Sequence, residues 1–326
     1  MAPDALATLT SPVILFFILG MFASAVRSDL AIPEAMAKAM SVYLMVAIGL
    51  KGGVAVSQSG LNATVLAAIF AGFSLSLILP LLAFVLLRGF GRLDGINAGA
   101  VAAHYGSVSV VTFVTASEIY QAAGSPADGY MVAVLAIMET PAILTGLMLA
   151  RRWMRNSATT DAADTDSSGL VREVLLNASV ILLLGSFVIG TVVGESGFAD
   201  IEPLFKTGFN GVLCLFLLDM GLLAARRLRE ARALTARLAI LALVFPLVNG
   251  TIAVFLGTLV GLPVGSAAAL GVLGASASYI AVPAAMRLAL PQADPGIYLT
   301  MSLSITFPFN ILIGIQLFAA LALYLH

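Results

Sequence analysis

The chain has 326 residues, 60% of them apolar and only 10% charged, with a mean hydropathy of +1.06. So little charge excludes a water-soluble domain of this size, and a net charge of −1 speaks against a nucleic-acid partner. The one cysteine, Cys214, stands in an apolar run, so no disulfide framework exists.

A bilayer span takes about 20 mostly apolar residues, and ten stretches meet that need. The first five are Ser11–Val26, Glu34–Leu50, Leu61–Leu87, Asn97–Tyr120 and Ala127–Ala150. The second five are Val171–Val193, Glu202–Leu223, Arg232–Val260, Val264–Leu288 and Gly296–Leu325. They predict an all-α integral membrane protein of ten transmembrane helices, with the lipid bilayer as its first partner. Between the fifth and sixth spans the polar stretch from Arg151 to Glu173, rich in Thr, Ser and Asp, reads as a flexible linker. The chain then divides into residues 1–150, a cytoplasmic linker at 151–172, and residues 173–326.

The two parts repeat each other in order. Pro12-Val13-Ile14-Leu15 matches Ser179-Val180-Ile181-Leu182, and Ile32-Pro33-Glu34 matches Ile201-Glu202-Pro203. Ala47-Ile48-Gly49-Leu50 matches Asp219-Met220-Gly221-Leu222, and Gly106-Ser107-Val108-Ser109 matches Ala275-Ser276-Ala277-Ser278. Pro141 matches Pro308. Because each repeat crosses the membrane five times, an odd number, the second must enter it the opposite way. The expected architecture is therefore two inverted five-helix repeats.

Charge fixes an orientation. With the linker in the cytoplasm, Arg27, Arg88, Arg92, Arg151, Arg152, Arg155, Arg172, Arg226, Arg227, Arg229, Arg232, Arg237 and Arg287 all fall inside, which is thirteen of the sixteen Lys and Arg. This is the positive-inside bias. It places both termini on the outer side of a bacterial inner (plasma) membrane.

The chemistry concentrates in the fourth and ninth spans. Ala103-His104-Tyr105-Gly106-Ser107-Val108-Ser109 and Gly274-Ala275-Ser276-Ala277-Ser278-Tyr279, with Pro283 after it, put small and hydroxyl residues at mid-span. Such segments suggest helices broken and crossing near the midplane, whose freed amides and half-helix N-termini suit an anion. Ser107, Ser109, Ser276 and Ser278 would add hydroxyl donors. The plainer alternative is close helix packing through small residues.

Glu139 is the one acidic residue near a span centre, in Met138-Glu139-Thr140-Pro141. A carboxylate there is expensive and functional by default, so it is expected to neutralise a coupling cation, Na⁺ or H⁺. The alternative is a structural pairing with His104 or Tyr105. Asn310, two residues past Pro308, offers an oxygen of the kind hard cations accept, or else a helix–helix hydrogen bond. His104, which has only His326 for company, cannot build a metal site and reads as a packing residue or a modulator of the pocket. Lys51 is expected to snorkel to the surface and Asp219 to pair with Arg226-Arg227. No Walker motif, Gly-x-Ser-x-Gly or His-Glu-x-x-His occurs, so neither an ATP-driven pump nor a hydrolase is indicated.

Ile32-Pro33-Glu34, Gly106-Ser107-Val108-Ser109, Met138-Glu139-Thr140-Pro141-Ala142, Ala275-Ser276-Ala277-Ser278 with Pro283 and Arg287, Asp294-Pro295 with Tyr298, and the Pro308 region together carry a resemblance. Over nearly its whole length the chain resembles the cyanobacterial sodium-dependent bicarbonate transporter family, as a member from outside the cyanobacteria. The resemblance implies a mobile core of spans 3–5 and 8–10 on a gate or scaffold of spans 1–2 and 6–7, a homotrimer, and Na⁺-coupled HCO₃⁻ uptake. It maps the anion site onto Gly106, Ser107, Val108 and Ser109 with Ala275, Ser276, Ala277 and Ser278. The chain departs from the family at Tyr279, where an acidic residue is expected in the cation site, and at His104-Tyr105, where small residues are expected. A cytosolic PII-like trimer is the regulator that such relatives bind.

The reading is a secondary active transporter of a small anion, bicarbonate first, working by alternating access. Ser107, Ser109, Ser276 and Ser278 would hold the anion, and Glu139, Thr140 and Asn310, with Tyr279, the cation. No cofactor is expected beyond Na⁺ as coupling ion. The rivals are a symporter of another small anionic metabolite coupled to H⁺ or Na⁺, a passive anion channel, and an intramembrane enzyme using Glu139 and His104. The last lacks a second catalytic acid, so no enzyme is expected.

Overall fold

The computed structural model describes residues 10–59, 62–157, 178–231 and 234–326, and all regular structure among them is helical. The helices are α1 (Pro12–Ala25), α2 (Glu34–Ser59), α3 (Ala63–Gly89), α4 (Gly95–Gly106), α5 (Val110–Ala122), α6 (Met131–Glu139) and α7 (Pro141–Ser157). After the linker come α8 (Ala178–Phe198), α9 (Phe209–Glu230), α10 (Ala236–Leu259), α11 (Val264–Ala275), α12 (Ala281–Ala289) and the long α13 (Pro295–Leu325). Two stretches of α13, Thr300–Thr306 and Asn310–Gly314, are wound as wider π-turns.

Eight helical stretches among the described residues are long and apolar enough to cross a membrane. Two of the ten expected spans are shorter. Helix α1 has 14 residues, or about 21 Å against a hydrocarbon core of about 30 Å. The ninth span is divided between α11, of 12 residues, and α12, of 9. The expected linker is also shorter at its start. Helix α7 runs on through Arg151 to Ser157, because nothing after Pro141 interrupts it and Trp153 finds a partner under the Arg88 guanidinium, 5.4 Å from its ring. Residues 158–172, including Arg172, lie outside the described residues, as does Arg232.

Side-chain caps set where several helices begin. Asn62 accepts from the Val65 amide at 3.0 Å, and Thr235 from that of Leu238 at 3.4 Å. Asp94 takes the amides of Ile96 and Asn97, at 2.8 and 3.0 Å, and the Asn97 side chain at 2.6 Å. Burial alone would raise the Asp94 carboxyl, but the Asn97 side chain and these amides outweigh it and hold the group below the ordinary carboxylate value. Asn97 Oδ1 in turn accepts the Asp294 amide at 2.8 Å, tying the start of α4 to that of α13.

Helix pairing follows the glycines. α1 packs along α9 and α2 along α8. Gly20 and Gly221 face the opposite backbone, at Leu218 and Phe17 respectively. Helices α3, α4, α6 and α7 gather together, and α10, α11 and the end of α13 form a matching group. Within the first group Gly99 and Gly146 let α4 and α7 touch, and a Cβ on Gly146 would lie 2.6 Å from the Gly99 carbonyl oxygen. Gly146→Leu is therefore expected to lower stability by about 1–3 kcal/mol through overpacking, read as a lower melting midpoint in detergent. An unchanged midpoint would show slack at that crossing.

Candidate functional site

Both expected breaks are present. Helix α4 stops at Gly106, and Ser107 (φ −85°, ψ 171°) turns the chain into extended backbone until α5 begins at Val110. Helix α11 stops at Ala275, and Ser276 (φ −77°, ψ 162°) does the same before α12 begins at Ala281. The two breaks bond to each other. The Ser109 amide donates to Ser276 Oγ at 3.0 Å, and the Ser278 amide donates to the His104 carbonyl at 3.0 Å. Among the described residues the amides of Val110, Val111, Ile280 and Ala281 have no acceptor. Two half-helix N-termini thus meet here with free donors, the arrangement that favours negative charge.

A small pocket of about 20 Å³ lies against the breaks. Val108, Ser109, Ser278, Tyr279 and Ile280 of the breaks line it, together with Val110, Val111 and Val114 of α5. Ser41, Leu44 and Met45 of α2, Phe216 of α9 and Glu139 complete the lining. Of the four serines expected to hold an anion, Ser109 and Ser278 reach this pocket. Ser107 Oγ instead donates to the Glu139 carbonyl at 3.0 Å, and Ser276 Oγ to that of Leu273 at 2.8 Å. Gly106, which packs on Pro80, and Ala275 and Ala277 shape the breaks from behind.

Glu139 is 3% exposed and its Oε2 has no hydrogen-bond partner. It ends α6, because Pro141 carries no amide hydrogen and its ring crowds the preceding turn. Ser76 bridges that interruption, donating to the Met138 carbonyl at 2.6 Å and accepting the Ala142 amide at 3.2 Å. Neither aromatic neighbour pairs with the carboxylate, contrary to the structural alternative. His104 Nδ1 bonds the Ala100 carbonyl at 2.7 Å, which makes it the protonated nitrogen, and the ring stacks on Tyr298. The Thr306 hydroxyl donates to the Ala242 carbonyl at 2.6 Å, so Tyr105 OH is the donor in its 2.7 Å bond to Thr306.

The residues expected around a cation are only partly together. Glu139 and Tyr279 share the pocket, and Thr140 follows at the end of α6. Asn310 sits behind, where its Nδ2 donates to the Ala275 carbonyl at 2.8 Å and its buried Oδ1 stays unpartnered. Asn249, which sequence reasoning passed over, does the same for the other break: Nδ2 reaches the Tyr105 carbonyl at 3.4 Å and Oδ1 is free. A lone amide in the apolar run Phe245-Pro246-Leu247-Val248-Asn249 was the signal available. Each break thus has a serine-bearing N-terminal side and a carbonyl end covered by an asparagine.

Two smaller expectations are corrected. Lys51 does not snorkel: its Nζ pairs with Glu118 Oε1 at 2.8 Å and lies over the Phe209 ring. Asp219 makes no direct salt bridge with Arg226 or Arg227 among the described residues, though the Arg226 charge still acts on it across the intervening turns of α9. Arg226 instead donates to the Leu30 carbonyl, and Arg227 reaches Glu230.

Eight helical stretches long and apolar enough to cross a membrane, one of them carrying the first break, with a pocket at the junction of the two breaks, mark a multi-pass membrane protein of the transporter class. The sequence matches the Na⁺-dependent bicarbonate transporter superfamily over residues 12–323, and the chain belongs to that superfamily. That is a family of transporters, not of enzymes. No curated protein matches the sequence.

Proposed function

We propose that the protein is a Na⁺-coupled bicarbonate symporter working by alternating access. The observation that carries this reading is the pocket shared by Ser109, Ser278 and Glu139 at two half-helix N-termini. In this reading the Ser109 and Ser278 hydroxyls and the free amides of Val110, Val111, Ile280 and Ala281 hold the anion. Glu139 supplies the countercharge for Na⁺, with Tyr279 beside it. Each ion offsets the cost of burying the other in a site of low dielectric, which is the physical basis of coupling.

The helix pairing supports an inverted repeat. Exchanging the two parts of the chain turns the α1–α9 pair into the α8–α2 pair, and the α3–α4 contact into the α10–α11 contact. It supports a gate of α1, α2, α8 and α9 beside a core that holds the breaks. The arginine bias supports an inner-membrane protein with its termini outside.

Uptake of labelled bicarbonate into proteoliposomes tests the proposal. An inward Na⁺ gradient is expected to drive accumulation above the external concentration, saturably. Na⁺-independent uptake that follows pH would point to protons, and flux without accumulation would point to a channel.

A further inference from the structure

An ion pair stands beyond one end of the pocket, between two helices that line it. Lys51 stands on α2 and Glu118 on α5, and their side chains keep 26% and 18% exposure. Lys51 Nζ also lies 4.3 Å from the centroid of the Phe209 ring on α9. On α2, Ser41, Leu44, Ile48 and Lys51 follow one another at spacings of three and four and so share a face. On α5, Val111, Val114 and Glu118 do likewise. Ser41, Leu44, Val111 and Val114 line the pocket, so both faces leave it in company and meet again at the ion pair. From Val114 to Glu118 is about one turn, or 6 Å. Ile48 and Val114, at 5% and 0% exposure, seal the interval. Just past the pair, Gly52 packs on Gly129 and Val132 at the start of α6. Away from this end, the pocket residue Ile280 is 42% exposed.

We propose that Lys51 and Glu118 form the latch that shuts this end of the pocket, the outer end in the orientation given above, and that the pair parts and re-forms in each transport cycle. The inference rests on the reading of α2 and α9 as gate and α5 as core, since only then does the pair span surfaces that move. Its exposure suits the task. An ion pair still partly open to water shifts an equilibrium about 2- to 5-fold, enough to bias the closed state and little enough to yield once per cycle.

The test follows access to the pocket and needs neither bicarbonate nor Na⁺. In a Cys214→Ala background, Val114→Cys is placed beneath the latch and its labelling by a membrane-impermeant maleimide is timed from the Lys51 side. Glu118→Gln is expected to speed labelling about 2- to 5-fold. With both charges kept, a zero-length carbodiimide joins Lys51 to Glu118: the activated carboxyl forms an amide with Nζ and its oxygen leaves in the urea. Protein carrying that link, identified by mass spectrometry, is expected to lose labelling at least tenfold. Equal rates with and without the link, or an unchanged rate in folded Glu118→Gln, would overturn the latch. If labelling responds as expected while the parent protein takes up no bicarbonate, the closure by the pair stands and the bicarbonate reading falls.

Discussion

Replacing Glu139 by Gln is expected to abolish the Na⁺ dependence of bicarbonate uptake while leaving the amount of protein in the membrane unchanged. Gln keeps the size and polarity of the side chain and removes only its charge. Glu139 is buried, lines the pocket and has an unpartnered carboxylate oxygen. No salt bridge to it forms among the described residues, so a cation in the pocket would meet a carboxylate with no competing positive charge bonded to it. Removing one partner of a buried charge pair costs about 3–5 kcal/mol, or roughly 150- to 4,500-fold in half-saturating Na⁺. A variant with the parent's Na⁺ response would remove Glu139 from the cation site.

The four serines of the breaks should separate into two kinds. Ser109→Ala and Ser278→Ala each remove a hydroxyl that lines the pocket. A hydrogen bond to a charged group is worth about 1.5–3 kcal/mol, so each change is expected to raise the half-saturating bicarbonate concentration about 10- to 150-fold. Ser107→Ala and Ser276→Ala remove hydroxyls already committed to the Glu139 and Leu273 carbonyls. Those two should lower the melting midpoint while moving bicarbonate affinity by less than about threefold. Equal affinity losses in all four would contradict the placement of the pocket.

Much of this was legible in the sequence, because in a membrane the hydropathy pattern and the backbone's need for hydrogen bonds leave few choices. Gly106 to Ser109 and Ala275 to Ser278 interrupt their helices where their small and hydroxyl residues suggested. Glu139, the one acidic residue near a span centre, is buried with its Oε2 unpartnered. What escaped notice are contacts between residues far apart in the chain. Ser76 stitches the fifth span at Met138 and Ala142, and nothing in its own apolar surroundings marks that role. Lys51 and Glu118 each look like ordinary span-end charges until the fold brings their side chains together. Asp219 seemed suited to Arg226 by sequence proximity; that charge does act on it from a distance, while the guanidinium itself bonds the Leu30 carbonyl.

The repeat also hides an asymmetry. The register that aligns Pro141 with Pro308 sets Glu139 opposite Thr306, whose hydroxyl is spent on the Ala242 carbonyl and on Tyr105. The second half therefore offers no carboxylate to match the first. In the proposed mechanism this gives one pocket with one countercharge, shared by two symmetrical-looking breaks. The two asparagines are likewise unequal: Asn310 is bonded to Ala275 at 2.8 Å, whereas Asn249 reaches Tyr105 at 3.4 Å.

The central claim is that the junction of the two breaks binds an anion with a cation beside it. Density maps of the protein in lipid nanodiscs, prepared with sodium bicarbonate and with choline chloride, test it most directly. The account predicts difference density within hydrogen-bonding reach of Ser109 Oγ and Ser278 Oγ, and a second feature against the Glu139 carboxylate, both lost in choline chloride. A bicarbonate-dependent feature elsewhere, with the pocket between Ser109 and Ser278 unchanged in the two preparations, would contradict it.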